Sequence, residues 1–250
     1  MEQVMIQAHR GASGYAPENT LPAFKMAVEM GADGIECDIH LTKDGHFVVC
    51  HDDTVNRTSN GEGSISQMTL AQIKTLDFGS KFDAKFAGTT APTLEEMLEV
   101  VKPLKVINIE IKRFEHEMGL DAALNLFYDT LKRFDVIQNT IVSSFDADVL
   151  KRLKELHSDI YTCLLYSKLE RPSEKAQKIG CSAIHPHFGS LKKATILSAH
   201  RRGMKVNCWT PNTKSDVDKM IKMGVDGIIT NYPDIAKEAR KENNEDKNKL

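Results

Sequence analysis

The feature that most constrains this chain is a rhythm. Short apolar, β-branched runs alternate with amphipathic stretches along most of its length. The last four apolar runs end near residues 165, 185, 208 and 230, about one strand-plus-helix unit apart. Strands are predicted over 4–9, 34–39, 106–111, 140–143, 160–165, 182–185, 205–209 and 227–230. Helices are predicted over 20–30, 94–102, 120–134, 146–157, 192–202 and 214–222. Eight strands alternating with helices imply parallel units. Met30-Gly-Ala-Asp-Gly-Ile35 is echoed by Met223-Gly-Val-Asp-Gly-Ile228, each a helix end, a glycine suited to a left-handed cap, and entry into a strand. Recurrence of that joint favours a closed (β/α)8 TIM barrel. An open doubly wound sheet is the alternative.

One interval breaks the rhythm. Between the second and third runs lie about fifty extra residues, rich in glycine and carrying Phe78, Phe82 and Phe86 among polar neighbours. We read residues 1–250 as one barrel domain, with 52–90 as a small inserted subdomain after strand two. The insertion should partly cover the C-terminal mouth, and the three phenylalanines should pack it. Thr93-Leu-Glu-Glu96 offers a capping box for the next helix. Residues 237–250 are nearly all charged or amidic and read as a frayed tail.

Composition excludes several classes. Apolar residues make up 41%, too many for a disordered chain. Thirty-three basic against thirty-five acidic residues leave no excess for nucleic acid. No run approaches the roughly 18 apolar residues of a membrane span. No basic-then-apolar leader opens the chain, and the five cysteines include no C-x-x-C pair. Both features point to a cytoplasmic protein with free thiols.

In such a barrel the reactive groups sit where strands end. Glu36 and Asp38 share one face of their strand, while Ile35, Cys37 and Ile39 share the other; Glu110 and Lys112 alternate likewise with Ile109 and Ile111. The apolar set must meet the helices, so the charged set faces the barrel axis. Three converging carboxylates are costly unless neutralised. A hard divalent cation, Mg²⁺ or Ca²⁺, would neutralise them; pairing with Arg10 and Lys112 alone is the other reading. Arg10 and Lys112 suit an anionic substrate. His9 and His51 add groups that titrate near neutrality, a candidate acid/base pair. His40, His46, His116, His157 and His200 read as surface or packing residues, and His185 and His187 stay ambiguous.

These residues compose a known order. His9-Arg10-Gly11 with Pro17-Glu18-Asn19-Thr20, then Glu36-Cys37-Asp38, Leu41-Thr42-Lys43-Asp44-Gly45 and His51-Asp52 resemble the opening blocks of the glycerophosphodiester phosphodiesterase family. Pro92-Thr93-Leu94-Glu95-Glu96, Glu110-Ile111-Lys112 and Asp226-Gly227-Ile228-Ile229-Thr230-Asn231-Tyr232-Pro233 resemble its later ones. The resemblance implies a (β/α)8 barrel with an insertion after strand two. It implies one divalent cation held by Glu36, Asp38 and Glu110, with His9 and His51 as general acid and base and Arg10 and Lys112 gripping phosphate. Glu18 would steady the loop after strand one, and Phe145 and Trp209 would line the glycerol or leaving-group side. The implied reaction is metal-dependent hydrolysis of a glycerophosphodiester to sn-glycerol 3-phosphate and an alcohol. A lysophospholipase D or a non-catalytic phosphate-binding barrel are the alternatives. The implied partner is that small molecule, with no nucleic acid and no membrane span.

Overall fold

The computed structural model describes residues 3–112, 114 and 116–247. Strands β1 (Met5–His9), β2 (Gly34–Leu41), β4 (Val106–Ile111), β5 (Thr140–Ser144), β6 (Tyr161–Tyr166), β7 (Ala183–Pro186), β8 (Lys205–Trp209) and β9 (Gly227–Thr230) pair in parallel, and β1–β2 pairing closes them into an eight-stranded barrel. Strand β3 (Phe47–Val49) runs antiparallel to β2 outside that cylinder. Helices α1 (Leu21–Glu29), α3 (Leu94–Val101), α4 (Leu120–Arg133), α5 (Ala147–Leu156), α6 (Pro172–Lys178), α7 (Lys193–His200), α8 (Lys214–Met223) and α9 (Pro233–Lys247) form the outer layer. The short α2 (Leu70–Ile73) lies in the inserted stretch. The closed parallel barrel is the expected one.

The alternation in β2 places its residues as expected. Ile35, Cys37 and Ile39 are fully buried in the main apolar core, which also holds Phe24, Leu98 and Ile109. The barrel interior instead receives Glu36, Asp38, Asn108 and Glu110, all buried. The two echoed joints are structurally equivalent. Gly31 and Gly224 both have positive φ, 66° and 90°. Asp33 accepts the Ile6 N–H and Asp226 accepts the Val206 N–H, each at 2.9 Å, tying the start of a strand to its neighbour.

Three features depart from the sequence reading. The tail does not fray through Lys247: α9 continues there, and its Arg240 donates to the Val4 carbonyl at 2.7 Å and pairs with half-buried Asp33. Its charges are partners for the barrel base, which a composition argument cannot see; residues 248–250 lie outside the described residues. Helix α6 was not foreseen, being a single short segment begun by Pro172. Strand β3 was also missed, because a three-residue strand carries almost no periodicity.

The inserted stretch rests on its own apolar cluster of Val48, Cys50, Val55, Ile65, Ile73, Phe78 and Ala91. Only Phe78 of the three phenylalanines packs there. Phe82 is 46% exposed and meets Phe86 edge-on at 5.8 Å. The Thr93 capping box is present, Thr93 Oγ1 accepting the Glu96 N–H and Glu96 accepting the Thr93 N–H. All five cysteines are buried free thiols. No helix among the described residues is long and apolar enough to cross a membrane.

Candidate active site

The C-terminal mouth gathers the charged strand ends around a cavity of about 120 Å³ lined by His9, Arg10, Glu36, His51, Glu110 and the apolar side chains Phe145 and Trp209, among others. Register explains the meeting. His9 lies beside Glu36 in the β1–β2 ladder, and Asp38 lies beside Glu110 in the β2–β4 ladder. One ligand oxygen from each of Glu36, Asp38 and Glu110 lies within 4.8 Å of the others. Oxygens this close can share one hard divalent cation, whose bonds to oxygen run about 2.0–2.6 Å.

Pairing with Arg10 and Lys112 neutralises the cluster unevenly. Lys112 Nζ sits 2.8 Å from Asp38 Oδ1 and also bonds Glu110, and Arg10 Nε lies 3.5 Å from Asp38 Oδ2. Burial would raise the Asp38 carboxyl, but Lys112 and Arg10 outweigh it and hold the group well below the usual carboxylate range. The other two acids are left short of positive charge. Burial, then the charges of Asp38 and Glu110, push Glu36 well up. Burial and Asp38 push Glu110 up to about 7. Two cations therefore do not neutralise three buried acids, and the donor set fits a hard divalent cation.

The two histidines differ in their supports. His9 Nδ1 is 2.7 Å from Asn231 Oδ1, so Nδ1 carries the proton and Nε2 keeps its lone pair. Burial and the Arg10 charge hold this ring neutral, pushed down to about 4. His51 Nδ1 is instead 2.6 Å from the Asp52 carboxylate. The β2–β3 hairpin puts it there: Ile39 pairs with Val49, the Cys50 N–H donates to the Asp38 carbonyl, and buried His40 holds the His51 carbonyl at 3.1 Å. His40 thus packs and positions.

Glu18 sits at the rim in a chain of ion pairs. It accepts from Arg10 Nη1 at 2.8 Å and from Arg57 Nη2 at 2.7 Å, while Arg57 Nε donates to Asp52 at 2.7 Å. Arg57 comes from the inserted stretch and ties the Arg10 side of the mouth to the His51 side. Sequence reasoning missed it, since a lone arginine in an irregular segment carries no pattern. Asn19 was also missed; its amide donates to Asp38 Oδ2 at 2.8 Å and its backbone N–H reaches the Arg10 carbonyl. Arg10 and Asn19 both have positive φ, 56° and 57°, a sparsely populated state that clusters at functional sites. On the opposite wall Phe145 meets Trp209 edge-on at 5.8 Å, and His187 meets Trp209 at 5.0 Å. His185 is fully buried against Asn207, its ring pushed down to about 3 by burial.

The glycerophosphoryl diester phosphodiesterase family matches residues 9–235, from the first histidine of the mouth to just past Asn231. The chain belongs to that family. A glycerophosphodiester phosphodiesterase of Caldanaerobacter subterraneus subsp. tengcongensis is 41% identical over 235 residues, 93% of this chain and 96% of that one. An Oleispira antarctica phosphodiesterase solved in complex with the product sn-glycerol-3-phosphate superposes with a TM-score of 0.85 at 30% identity, covering 95% of this chain and 96% of that one. The family's enzyme from Thermotoga maritima gives 0.76 at 28%, with 94% and 97% covered. The family thus spans the barrel and its insertion alike.

Proposed function

We infer that this protein hydrolyses glycerophosphodiesters to sn-glycerol 3-phosphate and an alcohol. The observation that carries the reading is one small cavity lined by Glu36, Glu110, Arg10 and two differently supported histidines, with Asp38 clustered against the two glutamates and Lys112 bonded to Asp38. Glu36, Asp38 and Glu110 would hold one Mg²⁺ or Ca²⁺, which supplies Lewis-acid polarisation of the phosphoryl oxygens. Arg10 offers its guanidinium and Lys112 its ammonium to the same phosphate. Phe145 and Trp209 form the apolar wall on the far side.

The hydrogen-bond partners divide the proton work. His9, neutral and with Nε2 3.8 Å from Glu36 Oε2, accepts the proton of the attacking oxygen, either water or the neighbouring glycerol hydroxyl. His51 has the Asp52 carboxylate behind Nδ1, which fixes its ring with Nε2 toward the mouth, so its Nε2 donates to the departing alkoxide. Asp52 acts through His51, and Arg57 and Glu18 hold that pair against the Arg10 side. The five buried thiols and the absence of a disulfide among the described residues suit a reducing compartment, so we place the protein in the cytoplasm.

The test is release of sn-glycerol 3-phosphate from glycerophosphocholine and glycerophosphoethanolamine, with and without a chelator. Turnover that chelation abolishes and added Mg²⁺ or Ca²⁺ restores is expected. Full activity in a metal-stripped, chelated sample would overturn the metal assignment, and no release under any condition would overturn the reaction.

A further inference from the structure

A groove of about 580 Å³ opens beside the catalytic cavity, on the flank between α5 and α6. Phe145 and Leu165 belong to both spaces. The groove continues outward over Ala147, Leu169 and Ile179, an apolar floor. It exists because α6 has only seven residues and packs on α7, so the flank of α5 beneath Phe145 lies open. Phe145 stands at the junction, 51% exposed.

The sizes of the two spaces assign the two halves of a diester. The catalytic cavity holds the volume of about four waters, about that of one three-carbon polyol, so it takes no more than one half of a diester. The second half of the substrate must leave by the open side, and the groove is the adjoining apolar surface. Its rim carries Lys168, Lys175 and Lys178. No acidic side chain pairs with any of the three among the described residues. Asp146 caps α5, and Glu174 pairs with Arg202.

We propose that this groove is the subsite for the alcohol half of the diester, and that it takes an alcohol with an apolar chain and no positive charge. The proposal rests on the hydrolytic reading above and adds which alcohols the enzyme prefers. Apolar floor favours methylenes, and three unpaired ammonium groups disfavour choline-like alcohols.

The experiment compares the kcat/KM of the methyl and n-hexyl diesters of sn-glycerol 3-phosphate with that of glycerophosphocholine. A fully buried methylene is worth about fourfold; a half-open groove gives about twofold each, so hexyl should exceed methyl by about thirtyfold. Ala147→Trp fills the groove and should cut that ratio to about threefold. Lys175→Glu with Lys178→Glu, both on the exposed face of α6, should raise glycerophosphocholine relative to the methyl diester about fivefold at low salt, an effect that high salt removes. Equal rates for methyl and hexyl diesters overturn the proposal and leave the hydrolytic reading standing. So does a hexyl preference that survives in Ala147→Trp. A choline ratio indifferent to the lysine pair overturns the charge assignment even if Ala147→Trp fails to fold. Absence of turnover on every diester overturns the hydrolytic reading itself.

Discussion

Replacing Glu110 by Gln isolates the electrostatics of the carboxylate cluster. In the metal-free protein burial and Asp38 push Glu110 from an ordinary value of 4.5 up to about 7. A carboxyl raised by folding keeps its proton in the native state at pH values where the unfolded chain has released it. Its ionisation therefore costs nothing below pH 4.5, grows as pH rises, and is complete above about pH 7. At about 1.36 kcal/mol per unit this shift amounts to about 3 kcal/mol. Glutamine preserves size and keeps an oxygen acceptor toward Lys112, but it cannot ionise. Without metal, Glu110→Gln should lie within about 1 kcal/mol of wild type at pH 5. At pH 8 it should exceed wild type by about 3 kcal/mol, or about 6–12 °C in Tm for a chain of this length. His9 and His185, kept neutral by burial, destabilise the native state as pH falls below 6.5. Both proteins carry them, so they cancel in the difference. Added Mg²⁺ or Ca²⁺ should reverse the order, stabilising wild type by about 2.7 kcal/mol at a hundredfold excess over Kd and leaving the variant nearly unmoved. Thermal and urea unfolding at the two pH values, with chelator and with each ion, measure all of this. A wild-type-minus-variant difference that does not change with pH, or equal stabilisation of both proteins by metal, would refute the reasoning.

Other consequences are as direct. His9→Ala or His51→Ala should lower kcat by about 10²–10⁴-fold, and the double variant should lose far less than the product, because the two act in one reaction; cleanly multiplicative losses in steady-state kinetics would contradict their shared role. Arg57→Ala should lower kcat by about 10–10²-fold through a misplaced His51 with Tm nearly unchanged; an unaltered kcat would remove Arg57 from the positioning chain. Phe78→Ala should cost about 3–5 kcal/mol in urea unfolding, whereas half-exposed Phe82→Ala should stay within about 0.5 kcal/mol; equal losses would mean that the inserted cluster is drawn wrongly.

What the sequence could not show is local and weakly patterned. Strand β3 is three residues long, yet it returns the chain so that His51 reaches the mouth. Arg57 sits in an irregular stretch, and only the fold brings it to both Glu18 and Asp52. The three phenylalanines looked alike in sequence. Phe78 entered the inserted core and Phe82 stayed exposed, because burial depends on what folds over a residue rather than on its type. The polar tail looked like solvent-facing chain, but in α9 Arg240 and Lys237 donate to the half-buried carbonyls of Val4 and Met30.

The sequence by itself determined the barrel and the membership of its charged centre. Period-two alternation sends Glu36, Asp38 and Glu110 to one face whatever the surroundings, and regular spacing of strand ends brings that face to one mouth. Only the tertiary structure decided how those groups share charge. Lys112 and Arg10 lie against Asp38 and hold it ionised, while burial and like charge push Glu36 and Glu110 upward. It also decided that His9 faces an amide and His51 a carboxylate. Spacing along a strand is set by the backbone and can be read from the chain. Energies of buried polar and charged groups depend on short distances between residues far apart in the chain, 3.5 Å for Arg10 and Asp38 and 2.7 Å for His9 and Asn231, 222 positions apart, and those distances exist only once the barrel has closed.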